Sequence, residues 1–117
     1  MEIVTENEDL KELLETGRSS KKELRNLQKG TIKGFVKAVM ILRAEDSVEG
    51  LYKYRGLNYE RLKGRLKEYE SVRCDSRYRL IFKSSLKKSL DKDGQIIQEQ
   101  IITEVKLIKI SDHYGDI

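Results

Sequence analysis

The chain has no proline, no tryptophan, one cysteine (Cys74) and one histidine (His113) in 117 residues. A lone cysteine excludes an internal disulfide. Zinc sites take three or four protein ligands, mostly Cys and His, so a single residue of each kind argues against a zinc centre. No metal and no other cofactor is expected. No apolar run approaches the roughly 18 residues that a membrane-spanning helix needs. The first residues lack the basic segment and apolar stretch of a secretion signal. The sequence therefore reads as a soluble cytoplasmic protein with no membrane partner. Its length fits one compact domain, taken as residues 1–117. Aromatic residues are few, six Tyr and two Phe, so the core must be small and mostly aliphatic.

Charge is plentiful but almost balanced, with 24 Lys and Arg against 20 Asp and Glu and a formal net charge of +4. Its distribution is uneven. Glu2, Glu6, Glu8, Asp9, Glu12 and Glu15 make the opening acidic. Lys53 to Lys88 is basic and includes Arg55, Arg61, Lys63, Arg65, Lys67, Arg73, Arg77, Arg79 and Lys83. A local basic stretch is the footprint expected of a polyanion binder. Composition alone fits an ordinary solvated, lysine-rich surface somewhat better, so the motifs must decide.

Hydrophobic periodicity divides the chain. Glu2–Thr5 suits a short strand. Asn7 suits a helix N-cap, followed by Leu10, Leu13 and Leu14 at helical spacing, with Gly17 placed to end the helix in the left-handed region. Ser20 is a second possible cap. Ile32, Phe35, Val36, Val39 and Met40 fall at i, i+3, i+4, i+7 and i+8, which predicts a helix or helical hairpin over about residues 21–44. Gly30 and Gly34 mark either a break or a close packing contact. Residues 45–68 read mostly as loop, with a short helical turn over Ser47–Tyr52. From Tyr69 the period changes to two. Tyr78, Leu80 and Phe82 alternate with Arg77, Arg79, Ile81 and Lys83, as in a half-buried strand. Asp91-Lys92-Asp93-Gly94 signals a turn, and Ile96–Ile110 reads as the returning strand. Helices first and antiparallel strands afterwards predict an α+β domain, its N-terminal helices packed on a small antiparallel sheet with a long C-terminal hairpin.

Three local patterns, in order, resemble the RelE/ParE superfamily of toxins, and within it the HigB-like and YoeB-like mRNA interferases. Leu57-Asn58-Tyr59-Glu60-Arg61-Leu62-Lys63-Gly64 is similar to the loop before the central strands of those toxins. Tyr69-Glu70-Ser71-Val72-Arg73 and then Arg77-Tyr78-Arg79-Leu80-Ile81-Phe82 are similar to the family's strand pair. Ile110-Ser111-Asp112-His113-Tyr114 is similar to the family's C-terminal His and Tyr. The chain departs from RelE itself at Tyr69 and Ser71, where RelE carries paired lysines. The resemblance implies a RelE-like fold with a basic RNA cleft on the sheet, and ribosome-dependent endoribonuclease activity on mRNA. It implies as partners the ribosome, mRNA and a cognate antitoxin encoded beside the toxin, expected here to be a helix-turn-helix protein.

Cutting RNA without a metal makes the ribose 2′-hydroxyl the nucleophile. The step needs a base at that hydroxyl, cations around the phosphorus and an acid for the leaving 5′-oxygen. Glu60 matches the loop glutamate that the resemblance implies to be a general base. Strand alternation places Arg79 opposite Tyr78 and Leu80, where its guanidinium can grip a phosphate bidentately. Arg73 is a second phosphate ligand. His113 is the side chain whose ordinary pKa lies near neutrality, and Tyr114 can stack on a base or position the phosphate. Which of them is acid and which is base stays open. Lys63, Lys67, Tyr69 and Arg77 complete the expected RNA-binding set, and Asp112 either orients His113 or ends the strand. Two other functions fit the same fold: a ParE-like inhibitor of DNA gyrase, and a non-catalytic RNA-binding module.

Overall fold

In the computed structural model, residues 1–88 and 101–117 are described. The expected turn at Asp91–Gly94 and the start of the returning strand at Ile96 lie outside them. The chain runs through strand β1 (Glu2–Val4), helices α1 (Glu8–Thr16), α2 (Lys22–Arg25) and α3 (Lys29–Ala44), then two 3-10 turns at Val48–Lys53 and Arg55–Leu57. Strand β2 (Glu60–Arg61), a 3-10 turn at Gly64–Leu66, and strands β3 (Glu70–Arg73), β4 (Arg79–Lys88) and β5 (Ile101–Ser111) follow, with a last 3-10 turn at Tyr114–Asp116. The strands form one sheet in the order β1-β5-β4-β3-β2. The architecture is α+β, as expected, with the helices on one face and the long β4–β5 hairpin at its centre. β1 joins β5 in parallel, so the sheet is mixed; its other pairings are antiparallel.

The first helix follows local rules. Asn7 Oδ1 accepts from the Asp9 and Leu10 N–H groups at 3.0 and 3.2 Å, and Glu8 and Asp9 complement the positive end of the helix dipole. The Asn7 amide also donates to the Ile108 carbonyl at 3.2 Å, which ties the start of α1 to β5. Gly17 sits at φ 73° and its N–H closes the helix on Leu13. Ser20 does not act as the second cap. Its N–H donates to the Glu12 carboxylate of α1 at 3.1 Å, while Lys21 begins α2 by donating its N–H to Ser19 Oγ at 3.1 Å.

The expected apolar stripe of α3 is rotated by part of a turn. Thr31, Phe35, Ala38, Val39 and Leu42 are buried. Ile32 and Val36 are half-buried and Met40 is 63% exposed. The reason is close approach to the sheet. A Cβ on Gly34 would lie 1.8 Å from the Cys74 carbonyl oxygen, so the small side of the helix faces β3. The break between α2 and α3 falls before Gly30, at residues 26–28.

The main core joins Leu10, Leu13, Phe35, Val39 and Leu42 to Val72, Leu80, Phe82, Val105, Leu107 and Ile110. Leu57 and Tyr59 from the predicted loop close one end of it. Ile81, expected on the open face beside Arg79, is fully buried. Its cross-strand neighbour Ser71 lies under the Tyr114 hydroxyl at 3.2 Å, so the C-terminal turn roofs this patch. Leu62 and Leu66 are also buried, outside the main core. Among the described residues no helix is long and apolar enough to cross a membrane.

Candidate functional site

The site lies on the sheet face opposite the helices, where three segments distant in sequence converge. Antiparallel pairing sets Glu60 of β2 against Ser71 of β3 and Arg73 against Arg79. β5 ends at Ser111, which pairs with Arg79, so the chain leaves the sheet next to that arginine. The turn at Tyr114–Asp116 then folds back over β3.

Arg79 is the centre of the cluster, with only 15% of its side chain exposed. Burying a guanidinium is costly unless its donors are used. Nε donates to Ser71 Oγ at 2.9 Å, and Nη2 donates to the Asn58 carbonyl oxygen and lies 3.9 Å from Glu60 Oε2. Asn58 presents that oxygen from a left-handed backbone at φ 43°, a conformation Asn tolerates better than most residues. The Tyr114 hydroxyl donates to the same Glu60 oxygen at 2.9 Å. Glu60 Oε1 and Arg79 Nη1 have no partner among the described residues. The arrangement leaves one guanidinium nitrogen and one carboxylate oxygen of this pair unengaged among the described residues, with a phenol bonded to the carboxylate.

Of the expected site residues, Glu60, Arg79 and Tyr114 are thus brought together. Arg73 lies across from Arg79 and is exposed. His113 does not touch the cluster: its Nδ1 accepts from the Gly115 N–H at 3.1 Å, capping the last turn. With Nδ1 an acceptor, a neutral ring carries its proton on Nε2. Asp112 does not orient His113 but pairs with Arg77 at 3.1 Å. Tyr69 lies beneath Lys83, whose Nζ is 4.8 Å from the ring centroid. Lys63 and Lys67 are exposed and form no ion pair among the described residues.

Sequence reasoning missed Ser71 and Asn58 as the groups that aim Arg79. Ser71 stood in a recognised pattern but only as a replacement for a lysine, and Asn58 acts through its backbone, which leaves no side-chain signal. Among the described residues no three His, Cys, Asp or Glu side chains cluster as a metal site requires. Cys74 is not a ready nucleophile, because burial, helped by the neighbouring Asp75 charge, pushes its thiol pKa up to about 12.

Neither a protein-family model nor a curated protein matches the sequence. Among solved structures the chain is similar to a "YoeB/ParE toxin from Agrobacterium tumefaciens", over 97% of this chain and 100% of that one, at 14% identity and a TM-score of 0.40.

Proposed function

We propose that the chain is the toxin of a type II toxin–antitoxin system, a single RelE-like domain that cleaves mRNA on the ribosome without a metal. The observation that carries this reading is the Glu60–Arg79–Tyr114 cluster, assembled from the same three patterns that gave the family resemblance. Those patterns are separated in sequence, and their meeting on one sheet face supports a shared chemical task.

In the proposed reaction the scissile phosphate enters beside Arg79, whose open nitrogen and fixed fork stabilise the charge that builds on the phosphoryl oxygens. Glu60 Oε1 takes the proton of the ribose 2′-hydroxyl. The 2′-oxygen bonds to phosphorus, the bond from phosphorus to the 5′-oxygen breaks, and that oxygen takes a proton from the C-terminal turn, through His113 or Tyr114. The products are a 2′,3′-cyclic phosphate and a 5′-hydroxyl. Arg73, Arg77, Lys63 and Lys67 would hold the flanking backbone, adding affinity with little sequence readout. A cognate antitoxin would silence the toxin.

The test is primer extension on mRNA bound to programmed ribosomes, with and without the purified chain, alongside induction of the chain alone in bacteria. Discrete mRNA cuts and growth arrest are expected. Arrest with intact mRNA and broken DNA would replace this reading with gyrase inhibition. RNA binding without cuts or arrest would leave a non-catalytic binding module.

A further inference from the structure

One basic side chain near the cluster binds the backbone of the last turn. Arg65 belongs to the 3-10 turn at Gly64–Leu66. Its Nη1 donates to the backbone oxygen of Ile117 at 3.2 Å and its Nη2 to the Tyr114 carbonyl at 3.4 Å. The two acceptors bracket the last turn, and the side chain of the first of them, Tyr114, reaches the site. The phenol of Tyr114 meets Glu60 at 2.9 Å and Ser71 at 3.2 Å.

We propose that Arg65 is a positioning residue for the reaction proposed above: it pins the C-terminal turn so that Tyr114 stays on Glu60. The inference rests on that functional reading. A turn of three residues cannot hold itself in place, because short 3-10 segments have few and poorly aligned hydrogen bonds. Within the turn, the Ile117 N–H reaches the Tyr114 carbonyl only at 3.4 Å. Glu60 and Ser71 hold Tyr114 by its side chain and Ser111 holds the His113 backbone just before the turn, whereas Arg65 reaches the far end of the turn at Ile117. The planar fork of Arg65 adds two donors at a fixed spacing, at opposite ends of the turn. Both acceptors are backbone oxygens, so the pin is indifferent to side-chain identity after Tyr114.

An exposed arginine beside an RNA cleft has a competing role, contact with phosphate, and the two roles separate kinetically. A phosphate contact would appear in half-saturation and in its salt dependence. A positioning contact appears in the maximal rate, because a misplaced group costs rate after the substrate is bound. The experiment compares wild type, Arg65→Ala and Arg65→Lys in single-turnover cleavage on programmed ribosomes, with amide hydrogen exchange of residues 112–117 in the free protein. Arg65→Ala is expected to speed exchange in that segment and lower the maximal rate by about tenfold or more, with half-saturation changed less than about twofold. Arg65→Lys, with charge but no fork, should recover only part of the rate. Unchanged exchange in Arg65→Ala would overturn the pin whatever the activity. Faster exchange with an unchanged maximal rate, or a loss confined to half-saturation, would overturn the positioning role. Faster exchange in a protein whose wild type cuts no RNA would keep the pin and refute the nuclease instead.

Discussion

Arg79 shows how one side chain can be fixed and still leave a hand free. Its Nε and Nη2 are held by Ser71 and Asn58, so the phosphate of the proposed reaction would meet a guanidinium that has already lost its rotamer freedom. Arg79→Ala is expected to lower cleavage by about 10²–10³-fold, the scale for losing one aimed donor at developing charge. Arg79→Lys keeps the charge but not the fork and should remain near the Ala level. Cleavage rates at matched folded concentration decide this, and a fully active Arg79→Lys would reduce the role to simple charge. Asp75 is a second residue with a measurable signature. Burial favours its neutral form, but the Thr31 hydroxyl, the N–H groups of Tyr78 and Arg77 and the Arg77 charge outweigh that and hold its pKa below the ordinary carboxylate value. A depressed folded pKa gives stability that is present above the unfolded value near 4 and is lost as pH falls through the folded value. Denaturant unfolding of Asp75→Asn should therefore show reduced stability at pH 7 and a gap to wild type that narrows as pH falls below the unfolded carboxylate value near 4. A gap that does not change with pH would mean that Asp75 acts through shape alone.

At the scale of elements, the legible parts are those that local rules determine. Asn7 and Gly17 bracket α1 because a cap needs only neighbours in sequence. The period of two from Tyr78 marked β4 for the same reason. What was not legible depends on partners far along the chain. Glu60 and Arg61 carry no strand signature, and they form β2 only because β3 offers an edge. The bond from Tyr114 to Glu60 spans 54 positions, so the motifs could name both residues but not their contact. The α3 stripe was misplaced because periodicity counts apolar residues, whereas the fold selects the face that allows the closest approach. Two glycines test this account. Gly34→Ala would drive a Cβ into the Cys74 backbone and is expected to cost about 1–3 kcal/mol as α3 lifts from β3. Gly30→Ala meets nothing within 4 Å and should stabilise by about 0.5–1 kcal/mol through helix propensity. Equal effects in chemical denaturation would show that α3 does not pack on β3 as described.

The molecule as a whole divides its labour between the two faces of one sheet. The main core lies on the helix side and, among the described residues, includes none beyond Ile110. The proposed chemistry lies on the other side and borrows its last group from the C-terminal turn. Deleting residues 113–117 therefore separates folding from activity. The deletion removes Tyr114 from Glu60 and Ser71 and uncovers the patch over Ile81, but it takes nothing from the main core. The carboxylate it leaves behind was already 44% exposed, so water can replace the lost phenol and no buried charge is stranded. The expected loss of stability is about 1–3 kcal/mol, the scale of the four exposed or partly exposed hydrogen bonds that tie residues 114–117 to Glu60, Ser71 and Arg65, whereas cleavage should fall below detection because the proposed reaction loses both candidates for its acid. The truncated chain should still fold cooperatively in denaturant, and it should still bind the proposed antitoxin if that partner docks on the helix side. Primer extension and denaturation on the same preparation give both readouts. Retained cleavage would remove the C-terminal turn from the site. Global unfolding would show that the roof over Ser71 and Ile81 is part of the core, and that the two faces are not independent.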